Sequence, residues 1–217
     1  MPGPAAAEPL ARERALGALT GLALGDALGM PTQSMSPAQI RRCYGEITGL
    51  RDAVAEQPIA PSVPAGSVTD DTEQALILAG LLIDGGGRID PHQLADALLR
   101  WEDDMRARGS LDLLGPSTKL ALERVRAGAD PHCTGRQGTT NGAAMRVAPV
   151  GIAFSLSADG DALARAVHAS CLVTHDTRQG FEAAGLLAAA VSAAIDGVDA
   201  AGALGAALDF VAARPEA

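Results

Sequence analysis

The chain has 217 residues, with 17 Lys or Arg against 26 Asp or Glu, so its formal net charge is −9. That length suits one domain or at most two, and an apolar fraction of 47% can build a substantial core, which excludes wholesale disorder. An acidic chain without a Lys/Arg block is not expected to bind nucleic acid or an anionic membrane, and its aromatic content of 2% disfavours a base-stacking surface.

The cysteines and the apolar runs predict a cytoplasmic protein. Cys43, Cys133 and Cys171 lie far apart and form no CxxC pair, which is typical of reduced thiols rather than of a disulfide framework. The longest apolar stretch, residues 183–195, is shorter than the roughly 20 residues that cross a bilayer. The first residues show no signal-peptide pattern.

Helical periodicity runs through the whole chain. Alanine, the best helix former, is abundant, whereas β-branched and aromatic residues are few. Apolar residues recur every three or four positions in segments 10–29, 73–84, 92–106, 117–127, 143–155, 161–172, 180–195 and 199–212. These segments predict eight helices in an all-α fold.

The first predicted helix carries two unusual features. Gly17, Gly21, Gly25 and Gly29 are spaced by four, so one face lacks side chains and another backbone is expected to pack closely against it. Asp26 lies within this apolar helix, where a carboxylate needs hydrogen-bond partners. Asp26 is expected either to hold a structural network or to line a site.

A proline-rich connection leads to the string Thr-Asp-Asp-Thr-Glu at residues 69–73, directly before an apolar run. One interpretation is a helix start, with Asp70 as the N-cap and Glu73 completing a capping box. The other is a metal site, because the backbone at a helix start lets the oxygens of Thr69, Asp70 and Asp71 converge. Oxygen ligands favour Mg²⁺, Mn²⁺ or Ca²⁺ over zinc.

Two later segments are also candidates for chemistry. The glycine-rich connection 128–142 leads to Asn141-Gly142, which is either an ordinary turn and cap or a cradle whose backbone N–H groups bind a phosphate. His175, next to Asp176 and between two predicted helices, is a general base, a hydrogen-bond donor to a bound sugar, or part of a capping cluster.

The other histidines do not predict a zinc site. His92 follows Asp90-Pro91 and fits a solvated helix start, while His132 and His168 have no acid-rich neighbourhood in the sequence. No HxxxH, HExxH or Cys/His metal spacing occurs. A GxSxG elbow and a complete Walker loop are also absent from the sequence.

Four strings, taken together and in order, resemble the ADP-ribosylglycohydrolase family. They are Gly21-Leu-Ala-Leu-Gly25-Asp26-Ala-Leu-Gly29-Met30-Pro31, Thr69-Asp70-Asp71-Thr72, Asn141-Gly142-Ala143-Ala144-Met145-Arg146 and Thr174-His175. The resemblance implies that residues 1–217 form a single, compact all-α domain with a two-metal cleft, usually for Mg²⁺ or Mn²⁺.

The resemblance also implies a role for individual residues. It makes Thr69, Asp70 and Asp71 metal ligands, with the two aspartates also taking catalytic roles. The family's loop that holds the phosphates and ribose of ADP-ribose corresponds to Asn141, Gly142, Ala143, Met145 and Arg146. His175 corresponds to the histidine that faces the substrate.

Two further positions match the family pattern less closely. Gln33 stands near the place where members often carry an acid on a gating loop, which implies contact with substrate but removes the carboxylate. Asp112 begins a stretch that looks like the family's Asp-Ile-Gly-x-x-Thr with one residue inserted. The resemblance therefore adds Asp112 to the catalytic candidates.

One family motif has no counterpart. A late Gly-Gly-Asp-x-Asp-Thr string supplies the other half of the family's metal site, but after Arg178 the acids Asp196, Asp199 and Asp209 stand singly. The chain is therefore expected to be the N-terminal portion of the family fold, C-terminally truncated, with weak metal affinity. Self-association, or a partner chain that supplies the missing segment, is expected.

The resemblance implies metal-dependent hydrolysis of the glycosidic bond between ADP-ribose and an acceptor, on a protein or a small molecule. The alternative is a catalytically impaired or inert member that binds ADP-ribose or serves a structural purpose. A third hypothesis is a hydrolase of another ribosyl compound.

Overall fold

The computed structural model describes residues 4–108 and 114–214, and within these ranges it contains helices and no strands. The helices are α1 (Pro4–Gly29), α2 (Pro37–Tyr44), α3 (Asp70–Asp84), α4 (Pro91–Ala107), α5 (Pro116–Arg126), α6 (Gly142–Arg146), α7 (Ala148–Ala153), α8 (Gly160–Cys171), α9 (Arg178–Ile195) and α10 (Ala200–Ala212), with a 3₁₀ turn at Met30–Thr32. The predicted all-α fold is confirmed. Among the described helices, none combines the length and the apolar character that a membrane span requires.

Each of the eight predicted segments is helical, but two details differ from the prediction. The segment 143–155 is divided at Val147 into α6 and α7, because Pro149 lacks the N–H and the space that a continuous helix needs. Helix α2 is additional. It buries no residue completely. Ile40, Cys43 and Tyr44 share one face and are half-buried, and the helix begins with a capping box formed by Ser36 and Gln39.

The core lies around α9, which packs against α6, α7, α8 and α10. Helix α9 presents small side chains to its neighbours, and Ala184, Ala188 and Ala189 are fully buried. Their small size permits very close approach: a Cβ on Gly151 of α7 would lie 2.4 Å from the carbonyl oxygen of Ala188. On the other side of the core, α3 packs against α4, α6 and α7. The beginning of α3 is thereby brought toward α6.

Hydrogen bonds from the side chains of Tyr44 and Gln57, which were not predicted from the sequence, fix the connection before α3. The hydroxyl of Tyr44 donates to the carbonyl of Pro31 at 3.0 Å and accepts from the backbone N–H of Val54 at 2.9 Å. The buried amide of Gln57 donates to the carbonyls of Met30 and Gln33 at 3.3 and 3.1 Å. The proline-rich connection is therefore tied to the end of α1.

The glycine stripe of α1 does not pack as predicted. A Cβ built on Gly17, Gly21, Gly25 or Gly29 would meet nothing within 4 Å in the described part of the chain. Helix α1 instead contacts α3, α7 and α9 through other residues, and this stripe stays exposed.

Candidate functional site

The site begins with Asp26, whose carboxylate organises the N-terminus of α3. It accepts from the backbone N–H and the hydroxyl of Thr69, both at 2.8 Å, and from those of Thr72 at 3.2 and 2.6 Å. A carboxylate that accepts several hydrogen bonds at a helix N-terminus also interacts favourably with the helix dipole. Of the two possibilities left open, the structural network is therefore present.

The N-cap of α3 is Thr69, one residue earlier than the cap that the sequence favours. Asp70 is the first helical residue, and the predicted capping box with Glu73 does not form. The carboxylate of Glu73 accepts instead from Trp101 Nε1 at 2.5 Å and pairs with Arg108 at 3.2 Å. With Glu73 turned away, Asp70 and Asp71 remain beside Asp26 at the helix start.

The two aspartates at this helix start carry an electrostatic penalty. Thr69 and Asp70 are buried and Asp71 is half-buried, with its Oδ2 accepting from the Thr69 hydroxyl at 3.3 Å. Burial and the negative charge of Asp71 raise the pKa of Asp70 to about 7. Burial and the charge of Asp26 raise the pKa of Asp71. The carboxylates of Asp26, Asp70 and Asp71 are thus close together in a partly desolvated environment.

A fully buried guanidinium lies next to this cluster. Arg146 donates to Gln74 Oε1 at 3.0 Å, to the carbonyl of Ser170 at 3.1 Å and to the hydroxyl of Thr174 at 2.5 Å. Burial lowers its pKa to about 10, and the charge of Asp70 opposes that shift. Arg146 therefore stays protonated at neutral pH. It links Gln74, which is one turn after Asp70, to Thr174, which precedes His175.

His175 is also fully buried, with both ring nitrogens engaged. Nδ1 lies 2.8 Å from the hydroxyl of Thr174, and Nε2 lies 2.9 Å from that of Thr140. Burial first, and the charge of Arg146 second, lower the pKa of His175 to about 4. The imidazole is therefore neutral at pH 7 and positions Thr140.

The loop that follows α5 lies directly on the segment that carries His175. A Cβ would lie 2.3 Å from the carbonyl oxygen of Leu172 if built on Gly135, and 2.0 Å from that of Thr174 if built on Gly138. On Gly142 it would lie 2.6 Å from Cε1 of His175. The glycines are thus required for backbone and ring packing.

Comparison with known proteins decides the family. The family model for ADP-ribosylglycohydrolase matches residues 7–217. The chain is 36% identical to the uncharacterized protein YegU of Escherichia coli (strain K12) over 85% of this chain and 55% of that protein. It is 32% identical to "ADP-ribosylarginine hydrolase Tri1" of Pseudomonas putida (strain GB-1), over 87% of this chain and 48% of that one.

The chain belongs to the ADP-ribosylglycohydrolase family. A solved structure titled "ADP-ribosylglycohydrolase-related protein complex" matches with a TM-score of 0.70 and 32% identity, covering 92% of this chain and 62% of that chain. The predicted family resemblance is thereby confirmed. The chain spans about half the length of the curated relatives it matches.

The remaining residues implied by the ADP-ribosylglycohydrolase resemblance differ in exposure. Asn141 and Gln33 are exposed, and Asn141 makes no side-chain capping bond to α6. Met145 is half-buried, whereas Ala143 is fully buried. Asp112 lies outside the described residues.

A small cavity adjoins His175. A pocket of about 140 Å³ between α8 and α9 is lined by Cys171, His175, Asp176 and Phe181, among others, and by none of residues 69–71 or 141–146. Arg146 hydrogen-bonds both Gln74 of α3 and Thr174, the residue before His175. Gln74 lies four residues after Asp70, so the two share one face of α3, a relation that could have been read from the sequence.

Residues from distant segments form one further polar group. His92 and His132 approach with ring centroids 5.3 Å apart, and Asp130 lies beside them. Together these three residues could hold a metal ion. This group was not predicted from the sequence because His92 is far from the other two residues along the chain. The short spacing in Asp130-Pro131-His132 is the signal that points to part of it.

Proposed function

We propose that this chain carries the first half of a divalent-metal site and the substrate loop of a hydrolase that cleaves the bond between ADP-ribose and its acceptor. The observation that carries the proposal is the group Asp26, Asp70 and Asp71. Three carboxylates meet at one helix start, with pKa values raised in both aspartates of α3. Family membership supplies the reaction class.

The donor set at this helix start suits Mg²⁺ or Mn²⁺. All candidate ligand atoms are oxygens, from the Thr69 hydroxyl and the carboxylates of Asp70 and Asp71, and hard cations prefer such ligands. A cation would also offset the repulsion that raises the pKa of both aspartates. Asp26 would stay in the second layer, because its oxygens already accept four hydrogen bonds from Thr69 and Thr72.

A bound divalent ion would stabilise charge on the substrate and lower the pKa of an attacking water. The chain's own residues would do the positioning. Exposed Asn141 would contact the ribose or phosphates, and Thr140, oriented by His175, would face the same place. Arg146, being fully buried, would act through Thr174 and Gln74 rather than on the substrate.

A non-catalytic binding or structural role is the second candidate function, and the late acids favour it. Asp196 accepts from the hydroxyls of Ser155 and Ser157, at 3.0 and 2.7 Å. Asp199 caps α10 through the N–H of Gly202 at 2.8 Å. Both carboxylates are thus engaged in local structure. A chain with one ligand cluster would hold a metal weakly, and catalysis would then need the second cluster from another segment or chain.

Thermal unfolding with and without Mn²⁺ and ADP-ribose tests the site. A ligand at 100 times its Kd adds about 2.7 kcal/mol of stability, so saturating Mn²⁺ should raise the melting temperature. Asp71→Asn should abolish this rise. Without metal, the variant should melt at or above wild type, because it loses the repulsion between Asp71 and its neighbours. Asp84→Asn, at the exposed other end of α3, is the matched control and should respond to Mn²⁺ like wild type.

Turnover separates the two candidate functions. The rate at which the chain hydrolyses an ADP-ribosylated arginine peptide is measured in the presence of Mn²⁺. A rate that is at least about 100-fold lower in Asp71→Asn than in wild type supports the enzymatic function. Binding of Mn²⁺ and ADP-ribose without turnover supports the non-catalytic role. Equal turnover by both proteins rejects the role given to Asp71.

A further inference from the structure

We propose that His92, Asp130 and His132 form a second metal site, which takes a borderline divalent ion of the zinc, copper or nickel type. It differs from the aspartate cluster of α3 in position and in ligand chemistry, and it does not depend on the proposed function. Each of the three residues offers one ligand atom, and these atoms lie within 4.8 Å of one another.

The spacing of these atoms is close to what one ion requires. Zinc lies about 2.0–2.2 Å from nitrogen and oxygen ligands, so two ligands on a tetrahedral ion are about 3.4 Å apart. All three side chains are exposed, so no surrounding core packing opposes their rotation toward one ion. Exposure on one side also leaves the other coordination positions to water.

The ligand types determine which ion is favoured. Two imidazoles and one carboxylate suit Zn²⁺, Cu²⁺ or Ni²⁺, whereas Mg²⁺ prefers oxygen ligands alone. Asp130 already contacts His132 twice: its Oδ1 accepts from the His132 backbone N–H at 3.0 Å and lies 2.9 Å from Nδ1 of the ring. These contacts hold the carboxylate and the imidazole side by side before an ion binds, and the ion would replace the hydrogen bond between Oδ1 and Nδ1.

The backbones that carry the group are firmly held. His92 is in the first turn of α4, which is capped by Asp90 accepting from the N–H of Gln93 at 3.0 Å. On the other side, the hydroxyl of buried Thr134 donates to the carbonyl of Val173 at 2.7 Å. Only the side chains need to adjust, so the entropy lost on binding is small.

An ion at this place would cross-link two distant segments. It would join the start of α4 to residues 130–132, and the same loop continues into the glycines that pack on His175. Binding would therefore stabilise the folded chain by mass action and raise its melting temperature. Mg²⁺ should not reproduce the effect at this group, because it dehydrates reluctantly and favours carboxylates.

Calorimetric titration of Zn²⁺ into tag-free protein tests the proposal. Every protein carries Cys133→Ser, which removes the exposed thiol next to His132, and the buffer contains excess Mg²⁺ to occupy oxygen sites. We expect one Zn²⁺ per chain. His92→Ala and His132→Ala should each weaken binding at least tenfold and abolish the zinc-induced rise in melting temperature.

His168→Ala is the matched control, because His168 is also half-exposed and lies 3.4 Å from a carboxylate, that of Asp176. It should bind Zn²⁺ like the parent. Asp71→Asn should also bind Zn²⁺ like the parent, which separates this site from the proposed function. Absence of zinc binding in the parent, or an equal loss in His168→Ala and His92→Ala, overturns the proposal.

Discussion

At the scale of single residues, Gly142 decides where the His175 ring can lie. Alanine at this position would place its Cβ 2.6 Å from Cε1 of His175 and 3.1 Å from the Thr118 hydroxyl. Both neighbours are buried, so neither can move aside without cost. We expect Gly142→Ala to lower the free energy of unfolding by about 1–3 kcal/mol, as overpacked cores do.

The control for this prediction is Gly80→Ala in α3. A Cβ on Gly80 meets nothing within 4 Å among the described residues, so the alanine there should stabilise the helix by about 0.5–1 kcal/mol. Urea unfolding of the two variants measures both changes. A Gly142→Ala protein as stable as Gly80→Ala would show that the ring of His175 does not rest on this glycine.

His175 predicts a pH dependence of stability with a definite sign. Its pKa is about 4 in the folded chain, against 6.5 for an ordinary histidine. Below pH 6.5 the unfolded chain takes up a proton that the folded chain rejects, so stability is full above pH 6.5 and falls as the pH drops toward 4. The slope from this group is roughly 1.4 kcal/mol per pH unit.

Urea unfolding at pH 7, 6 and 5 measures the effect in wild type and in His175→Gln. The variant has no titrating group at this position, so the stability of wild type relative to the variant should fall between pH 6 and 5. Parallel curves would mean that the ring of His175 is protonated as easily in the folded chain as in the unfolded one.

At the scale of elements, the contact between α1 and α3 depends on one carboxylate. Asp26→Asn keeps the shape of the side chain but loses the charge and turns an NH₂ group toward one set of donors on Thr69 and Thr72. Because hydrogen bonds to a charged group contribute about 1.5–3 kcal/mol, we expect a loss of that order in the free energy of unfolding.

Asp90→Asn is the matched control for Asp26→Asn. Asp90 caps α4 at an exposed position, and asparagine caps helices about as well as aspartate, so this change should cost a few tenths of a kcal/mol. Denaturant melts of both variants provide the test. Equal effects of the two changes would contradict the central place given to Asp26.

The elements show which parts of the fold are predictable from sequence. Long helices with an apolar stripe were predicted because periodicity reports burial directly. Helix α2 is short and its stripe of Ile40, Cys43 and Tyr44 is only half-buried, so its capping box at Ser36 and Gln39 is the clearer signal in the sequence. The break at Pro149 was predictable from proline chemistry, but the apolar pattern runs through it unchanged.

The candidate site was predictable only in part, for a related reason. Neighbours in sequence, such as Asp70 and Asp71, were identified because local spacing brings them together. The bonds from Asp26 to Thr69 and from Arg146 to Gln74 join residues 43 and 72 positions apart. Such contacts depend on how helices pack, which composition and spacing do not specify. The burial of Arg146 follows from the same packing.

At the scale of the whole molecule, one polar path crosses the helical core. It runs from Gln74 of α3 through Arg146 of α6 and Thr174 to His175 and Thr140. Every link is a hydrogen bond between side chains, and most of these side chains are fully buried. Low local polarity strengthens such bonds and makes each broken one costly. The path therefore links α3, one helical turn after Asp70, to the loop that carries Thr140.

The exposed apolar residues of α1 predict that the chain self-associates. Leu16, Leu24 and Leu28 are 66%, 50% and 37% exposed. Leu24 and Leu28 share a face because they are four residues apart, and Leu16 lies about 80° around the helix from Leu24. The glycine stripe adjoins them and offers no side chains that would keep a second surface away. Burying apolar surface contributes about 25 cal/mol per Å², so a face of this kind favours contact with another copy of the chain.

Light scattering at several protein concentrations measures the association. Wild type should exceed the 21.9 kDa of one chain as concentration rises, and the double change Leu16→Glu, Leu24→Glu should return the mass to that value. Leu120→Glu, at a leucine 39% exposed on α5, places the same charge elsewhere and should associate like wild type. A wild-type mass that stays at that of one chain at every concentration would contradict self-association. Association that persists in the double variant would show that the contact does not involve the leucines of α1.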